Sequence, residues 1–286
     1  MLHGEEAGGA RRWIRFGSIK FQPSEFAKVA YILFFAGILA DIKKDGKIST
    51  LAKGFGYPMT FLVPIVISVY VLQNHLSATI LIVGVTCVQM FVAGVLLRYF
   101  IGGGVCGVAL GLSYLLLKNQ GTTGSGFRST RIQTWFDPFA NPTGDGWQII
   151  NSLYAIGSGG LFGTGLGQGR QKYLYLPEPH NDFIFAILAE ELGFVGCIAV
   201  ITLFVVFVWR GIIIALRAED TYGSLVAIGI VCLIGLQAIM NIAVVTGSMP
   251  VTGVPLPFFS YGGTAMIANL ASIGILLNIS RSCEKK

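Results

Sequence analysis

Long apolar runs separated by short polar breaks dominate the pattern of this chain. A helix needs about 20 mostly apolar residues to cross the hydrocarbon core of a bilayer, and most of these runs have about that length. We therefore predict an all-α integral membrane protein, a polytopic bundle of about seven transmembrane helices. The predicted spans are 23–41, 57–73, 76–97, 100–117, 182–209, 223–246 and 264–280. The fifth is long enough to tilt or to protrude.

Two segments between the spans stand out. Residues 118–181 form the one long hydrophilic loop, and the moderately apolar piece 147–157 within it predicts a short interfacial or re-entrant helix. Residues 247–263 contain three prolines and four glycines and no charge. Such irregular backbone is not tolerated against lipid, so we expect this segment to be buried against protein or at the surface. We expect a single membrane domain over residues 1–286, with 118–181 as a loop within it.

Composition supports the membrane assignment. Hydrophobic residues make up 53% of the chain and charged residues only 12%, against about 25% charged residues in soluble domains. The mean hydropathy is +0.71. The net charge of +6 is better explained by topology than by nucleic-acid binding. The spacing of the five cysteines predicts neither a disulfide framework nor a metal site.

Loop charges predict the orientation. With seven spans, the C-terminus and most lysines and arginines of the short connections, such as Lys43, Lys44 and Arg217, fall on one side. The positive-inside rule places that side in the cytoplasm and the 118–181 loop outside. The basic N-terminal segment then also lies outside, against the rule. That exception indicates either missing upstream helices or cations that bind an anion.

The candidate chemistry is concentrated where the long loop enters the fifth span. Asp182 lies at this boundary, where partial desolvation favours its use as a general base and neighbouring cations oppose it. Several cations are predicted on the same outer face and are suited to a phosphate or pyrophosphate: Arg11, Arg12, Arg128, Arg131, Arg170 and Lys172. A carboxylate beside such a site suits group transfer from a lipid-linked phosphate donor.

Each of these residues also has a plainer interpretation. Asp182 would serve equally as a helix N-cap. Glu25 and Lys28 are predicted to form an i,i+3 ion pair that makes two membrane charges tolerable. Glu190 and Glu191 suggest either a proton relay or packing against a partner cation. The alternating glycines of 163–169 would bring backbone amides to a phosphate, or form a flexible loop.

Five motifs carry a resemblance to a known family: GARRWI (9–14), QPSEFAK (22–28), AIGSGGLFGTGLGQGRQK (155–172), LPEPHNDFIFAILAEELG (176–193) and PLPFFSYGG (255–263). In this order they resemble the SEDS family of shape, elongation, division and sporulation proteins, which includes FtsW, RodA and SpoVE. The GARRW form is more similar to FtsW and SpoVE than to RodA. Family members usually have ten spans, so the resemblance implies that the first three helices are missing here.

The resemblance implies a peptidoglycan glycosyltransferase of the bacterial cytoplasmic membrane that polymerises lipid II on the outer face, in division or sporulation. It implies that Asp182 deprotonates the acceptor hydroxyl. It places Lys172, Glu178 and His180 in the same region as Asp182, and Ser260 and Tyr261 near the central cavity. Glu25 and Lys28 match the buried pair of the family and lie on the first span. Asn181 replaces the usual Thr beside the aspartate.

The implied partners are lipid II, a class B penicillin-binding protein and other division or sporulation membrane proteins. A divalent cation, Mg²⁺ or Mn²⁺, is a possible aid at the pyrophosphate; no other cofactor is expected. Two other functions remain open from the sequence. A lipid II flippase would depend on the buried charges rather than on Asp182. A non-catalytic scaffold of the division machinery would function without Asp182.

Overall fold

The computed structural model of the chain describes residues 5–7, 10–16, 19–72, 76–103, 134–140, 142, 146–171 and 181–283. It begins with a three-stranded antiparallel ribbon of β1 (Glu5–Ala7), β2 (Ala10–Phe16) and β3 (Ile19–Phe21). In the second hairpin the Cα pairs run from Ile14 with Phe21 to Phe16 with Ile19. The predicted helical membrane bundle is confirmed, whereas this short ribbon was not predicted.

Helices make up nearly all of the rest. They are α1 (Pro23–Lys44), α2 (Tyr57–Ile67), α3 (Leu76–Ala93), α4 (Trp147–Gly159), α5 (Ile184–Arg217), α6 (Thr221–Val245) and α7 (Gly263–Cys283). Turns of π-helix flank α2, at Leu51–Gly56 and Ser68–Leu72. The short helix predicted at 147–157 corresponds to α4. Five helical stretches in the described part of the chain are long and apolar enough to cross a membrane: Leu51–Tyr70, α3, α5, α6 and α7.

Several helices extend beyond the predicted boundaries. α5 continues through Arg210 to Arg217, past the predicted end of the fifth span at 209. Helical structure before α2 begins at Leu51, ahead of the predicted start of the second span at 57. Long basic side chains can bury their stems along a helix and keep their charges at the interface, so charge alone did not mark the helix ends. Residues 97–103 are helical; the remainder of the predicted fourth span lies outside the described residues.

α6 is the central helix of the bundle. Most of its side chains are buried, with Leu225 at 1% and Ile230 and Ile234 at 0% exposure. Gln89 of α3 ties two neighbours to each other, because its Nε2 donates to the carbonyl of Ile32 on α1 at 3.2 Å and to that of Leu225 at 3.0 Å. A helix that is apolar on nearly all sides is typical of a span buried inside a bundle.

The two ends of the bundle differ in character. The C-termini of α1, α5 and α7 carry Lys43, Lys44, Arg217 and Arg281, and the thiol of Cys283 on α7 lies 3.9 Å from the carbonyl of Ile214 on α5. The N-termini of α1 and α5 lie at the opposite end, together with the connection 246–262 between α6 and α7. This connection, called the return segment below, positions the candidate site.

Candidate active site

Asp182 lies in a turn immediately before α5 and is partly buried. Phe183 occupies the N-cap position of the helix, so Asp182 is one residue outside the cap that the plainer interpretation assigned to it. Phe183 is 1% exposed, which anchors the turn in the bundle. The geometry therefore places the carboxylate at the loop–helix boundary.

The backbone of this turn is held from two sides. Asn241, near the end of α6, donates from Nδ2 to the carbonyl of Asp182 at 2.7 Å and to that of Val254 at 2.7 Å. Ser260 donates to the carbonyl of Asn181 at 2.6 Å and accepts from the amide of Leu256 at 2.7 Å. Hydrogen bonds made in a buried, low-dielectric environment fix local geometry. The turn is thus locked to both α6 and the return segment.

The return segment is itself fixed to the bundle. Ser77 at the start of α3 donates to the carbonyl of Thr252 at 2.6 Å, and Trp135 donates to that of Gly247 at 2.8 Å. Val254 and Leu256 are 4% and 1% exposed. The expectation that this irregular stretch is buried against protein therefore holds for its central part.

Gly253 of the return segment forms one wall of the site. It adopts φ 66°, and a Cβ at this position would lie 3.2 Å from Oδ2 of Asp182. The carboxylate therefore lies against bare backbone, in a space that a side chain would occupy.

We expect Gly253→Ala to lower catalytic turnover about 10- to 100-fold with a smaller loss of stability, because it combines left-handed strain of about 1–2 kcal/mol with displacement of the carboxylate. Turnover and thermal unfolding of the purified variant would test this. The matched control is Gly263→Ala, at the start of α7, where a Cβ would meet nothing within 4 Å. Equal turnover in the two variants would contradict the assignment of Gly253 to the site wall.

A buried polar cluster lies beside the return segment. A cavity of about 10 Å³ is lined by Glu25, Gln237, Ser260 and Asn269 together with apolar residues of 255–266. Lys28 donates to Glu25 over 2.9 Å, and the two residues are 5% and 7% exposed. The two charges of α1 thus neutralise each other next to the segment that holds Asp182.

We expect Lys28→Met to destabilise the protein by about 3 kcal/mol, because it leaves the Glu25 carboxylate buried without its cation. The double variant Glu25→Gln/Lys28→Met removes both charges and should recover most of that stability. Thermal unfolding in detergent would measure both. A double variant less stable than Lys28→Met would show that the pair contributes more than mutual neutralisation.

A break in α5 receives the glycine-rich loop that follows α4, residues 160–171. Gly193 has φ 68° and ψ −166° inside the helix. The amides of Phe194 and Val195 donate to the carbonyls of Gly160 and Leu161, at 2.9 and 3.2 Å. In exchange, the amides of Thr164 and Gly165 donate to the carbonyls of Glu190 and Glu191, at 2.9 and 3.1 Å. Loop and helix thus complete each other's hydrogen bonds.

The side chains of Glu190 and Glu191 extend this contact. Glu190 accepts from the amide of Arg170 at 2.7 Å and from that of Gln171 at 3.2 Å, and Glu191 accepts from the amide of Gly167 at 3.0 Å. The hydrogen bonds described for Glu190 thus come from amides, where the sequence suggested a relay or a partner cation. These loop amides are accordingly engaged by carboxylates rather than presented to a phosphate.

The other predicted site residues fall into three sets. Arg170 and Tyr261 are exposed on the surface, Tyr261 by 82%, whereas Ser260 is buried and braces the turn of Asp182. The remaining candidates lie outside the described residues: Arg128, Arg131, Lys172, Glu178 and His180. Sequence reasoning missed Asn241 and Gly253, whose contacts are with residues distant in the chain.

Fold and site together define a multi-pass helical membrane protein that holds a carboxylate at the mouth of its bundle. Comparison with known sequences identifies the family: the profile of the FtsW/RodA/SpoVE cell cycle proteins matches residues 1–285, and the chain belongs to this family. It is 46% identical to stage V sporulation protein E of Bacillus subtilis, over 96% of this chain and 72% of that protein. It is 43% identical to a probable peptidoglycan glycosyltransferase FtsW of Geobacter sp. strain M18, over 97% of this chain and 73% of that protein.

Solved structures show the same fold. One is a chain of a peptidoglycan synthase complex studied for the coordination of polymerization and crosslinking, with a TM-score of 0.76 and 29% identity, covering 99% of this chain and 76% of that chain. The rod shape determining protein RodA of Thermus thermophilus matches with a TM-score of 0.66 and 29% identity, over 99% of this chain and 73% of that chain.

Proposed function

We propose that this chain is a peptidoglycan glycosyltransferase that polymerises lipid II, with Asp182 as the general base. The observation that carries the proposal is the fixed position of Asp182, whose carbonyl is held by Asn241 at 2.7 Å and whose carboxylate lies against Gly253. Relatives described as probable peptidoglycan glycosyltransferases, 42 to 43% identical to this chain, support the reaction class.

In the proposed step, the Asp182 carboxylate takes the proton of the acceptor sugar's 4-hydroxyl, and the oxygen attacks the anomeric carbon of the donor. The new carbon–oxygen bond forms as the bond from the anomeric carbon to the pyrophosphate breaks, and undecaprenyl pyrophosphate leaves with the bonding electrons. Asp182 later returns the proton to solvent. We propose that Arg170, Lys172, Arg128 and Arg131 stabilise the leaving pyrophosphate. We also propose substrate contacts for Glu178, His180 and Tyr261.

The described residues offer little to a metal ion. Within the ranges that the structure describes, no three His, Cys, Asp or Glu side chains come together in a way that would hold one. A Mg²⁺ or Mn²⁺ ion at the pyrophosphate would supply charge neutralisation, with the pyrophosphate oxygens as its main ligands. No step of the proposed mechanism passes through it.

We further propose that the Asp182 end of the bundle faces outward and that the C-terminus is cytoplasmic. The basic helix ends of α1, α5 and α7 lie together at the opposite end, which the positive-inside rule assigns to the cytoplasm. Polymerisation at the outer face fits a class B penicillin-binding protein as partner, which would crosslink the strands, and a setting among other division or sporulation membrane proteins.

Direct observation of the polymer tests the proposed function. The protein, co-expressed with its penicillin-binding partner, is given purified lipid II with transpeptidation blocked, and glycan strands are resolved on a gel. We expect strands of many disaccharides. Lipid II translocation into liposomes without any polymer would contradict the proposal and favour a flippase, for which the buried Glu25–Lys28 pair and its cavity are the supporting observation.

A further inference from the structure

Glu190 is a buried carboxylate that the proposed chemical step does not use. It lies on α5 two turns after Asp182 and is 2% exposed. Its Oε1 accepts from the amide of Arg170 at 2.7 Å, and its Oε2 accepts from the amide of Gln171 at 3.2 Å. Burying a carboxylate costs free energy unless the group is hydrogen-bonded, so Glu190 needs the amides of Arg170 and Gln171 to stay in place.

The contact with Glu190 therefore holds the cationic end of the glycine-rich loop, at Arg170. Residues 160–165 are held by the backbone exchange at the break in α5, but after Gly165 the loop leaves that exchange. From there on, the described hydrogen bonds that join it to α5 are donated by backbone amides to carboxylates. The amide of Gly167 donates to Glu191, and those of Arg170 and Gln171 donate to Glu190. Gly169 fits closely against both carboxylates, since a Cβ there would lie 2.9 Å from Oε2 of Glu190 and 3.0 Å from Oε1 of Glu191.

We propose that Glu190 is a positioning residue, which fixes the backbone at Arg170 relative to Asp182 so that Arg170 meets the pyrophosphate of the lipid substrate. The inference rests on the proposed function. Glu190 lies on the helix that begins two residues after Asp182. The amide that it accepts at 2.7 Å is that of Arg170, the cation for which we propose contact with the pyrophosphate. The carboxylate acts through its acceptor geometry rather than through proton transfer.

Glu190→Gln tests this, because the amide side chain keeps the volume but turns one acceptor oxygen into a donor facing the amide of Gln171. We expect the KM for lipid II to rise about tenfold with kcat within about twofold, the loss equivalent to one weakened charge-assisted contact. Glu190→Ala should raise KM further. The matched control is Glu219→Gln, an exposed carboxylate at the opposite end of α5, which should leave both constants unchanged.

Hydrogen exchange separates positioning from the catalytic assignment. In Glu190→Gln the amides of 167–171 should exchange faster while those of 194–210 keep their protection. Faster exchange with an unchanged KM would overturn the proposal, as would unchanged exchange. A collapse of kcat at constant KM would overturn it in favour of a proton relay. Polymer formation by Asp182→Asn, assayed in parallel, would remove Asp182 from the role of base. Absence of polymer from the wild type would contradict the proposed function, and neither result would alter the exchange pattern of Glu190→Gln.

Discussion

Asp182→Asn is expected to lower glycan polymerisation about 10²- to 10⁴-fold, the contribution typical of a positioned general base. Asn keeps the volume of the side chain and one acceptor oxygen, but it cannot take a proton from the acceptor hydroxyl. The backbone contacts of Asp182 with Asn241 are made by its carbonyl, so they survive the substitution. The loss should therefore fall on kcat, measured as strand formation from lipid II at saturating concentration.

The control for this experiment is Asp41→Asn, which removes an exposed carboxylate near the C-terminus of α1. It should polymerise lipid II at the wild-type rate and unfold at the wild-type temperature. Thermal unfolding of Asp182→Asn should stay within about 1 kcal/mol of the wild type, since the substitution is isosteric and the residue is only partly buried. Polymerisation by Asp182→Asn at more than about a tenth of the wild-type rate would remove Asp182 from the role of base.

Local patterns predicted well those features whose partners are close in sequence. Glu25 and Lys28 are three residues apart on one helix face, and the structure places their charged atoms 2.9 Å apart. The moderately apolar piece 147–157, predicted as a short helix, forms α4. In both cases the periodicity of a single helix determines the outcome.

The ribbon at the N-terminal end was missed, although a signal was present. Trp13, Ile14 and Phe16 favour extended structure, and β2 runs through all three. Arginines interrupt this run. The basic residues were used only to predict the orientation in the membrane, so the strand propensity of the segment was overlooked.

The residues that hold the candidate site in place could not be predicted from the sequence, for a different reason. Asn241 lies in an apolar helix 59 residues from Asp182, and its importance depends on two carbonyls that no local pattern connects to it. Gly193 reads as one more residue of an apolar run. Only its exchange of hydrogen bonds with residues 160–165 explains why the helix breaks there, and such non-local pairing leaves no periodic trace in the sequence.

Gly193→Ala is accordingly expected to have a large effect. The conformation of φ 68° and ψ −166° is one that only glycine adopts readily, with a strain of about 1–3 kcal/mol for other residues. A Cβ would also collide with the amide nitrogen of Gly163 and lie 2.7 Å from the carbonyl of Leu161. We expect α5 to close its own hydrogen-bond ladder across residue 193, to release the glycine-rich loop and to lose most polymerising activity.

Three measurements make this prediction specific. Amides 164 and 165 should lose their protection from hydrogen exchange, the free energy of unfolding should fall by about 3 kcal/mol or more as strain and lost contacts add, and polymer should fall at least about tenfold. Gly274→Ala on α7 is the matched control, because a Cβ there meets nothing within 4 Å and alanine favours a helix by up to about 1 kcal/mol. Wild-type activity in Gly193→Ala with the loop amides exposed would show that docking of this loop is dispensable, and would also contradict the positioning role proposed for Glu190.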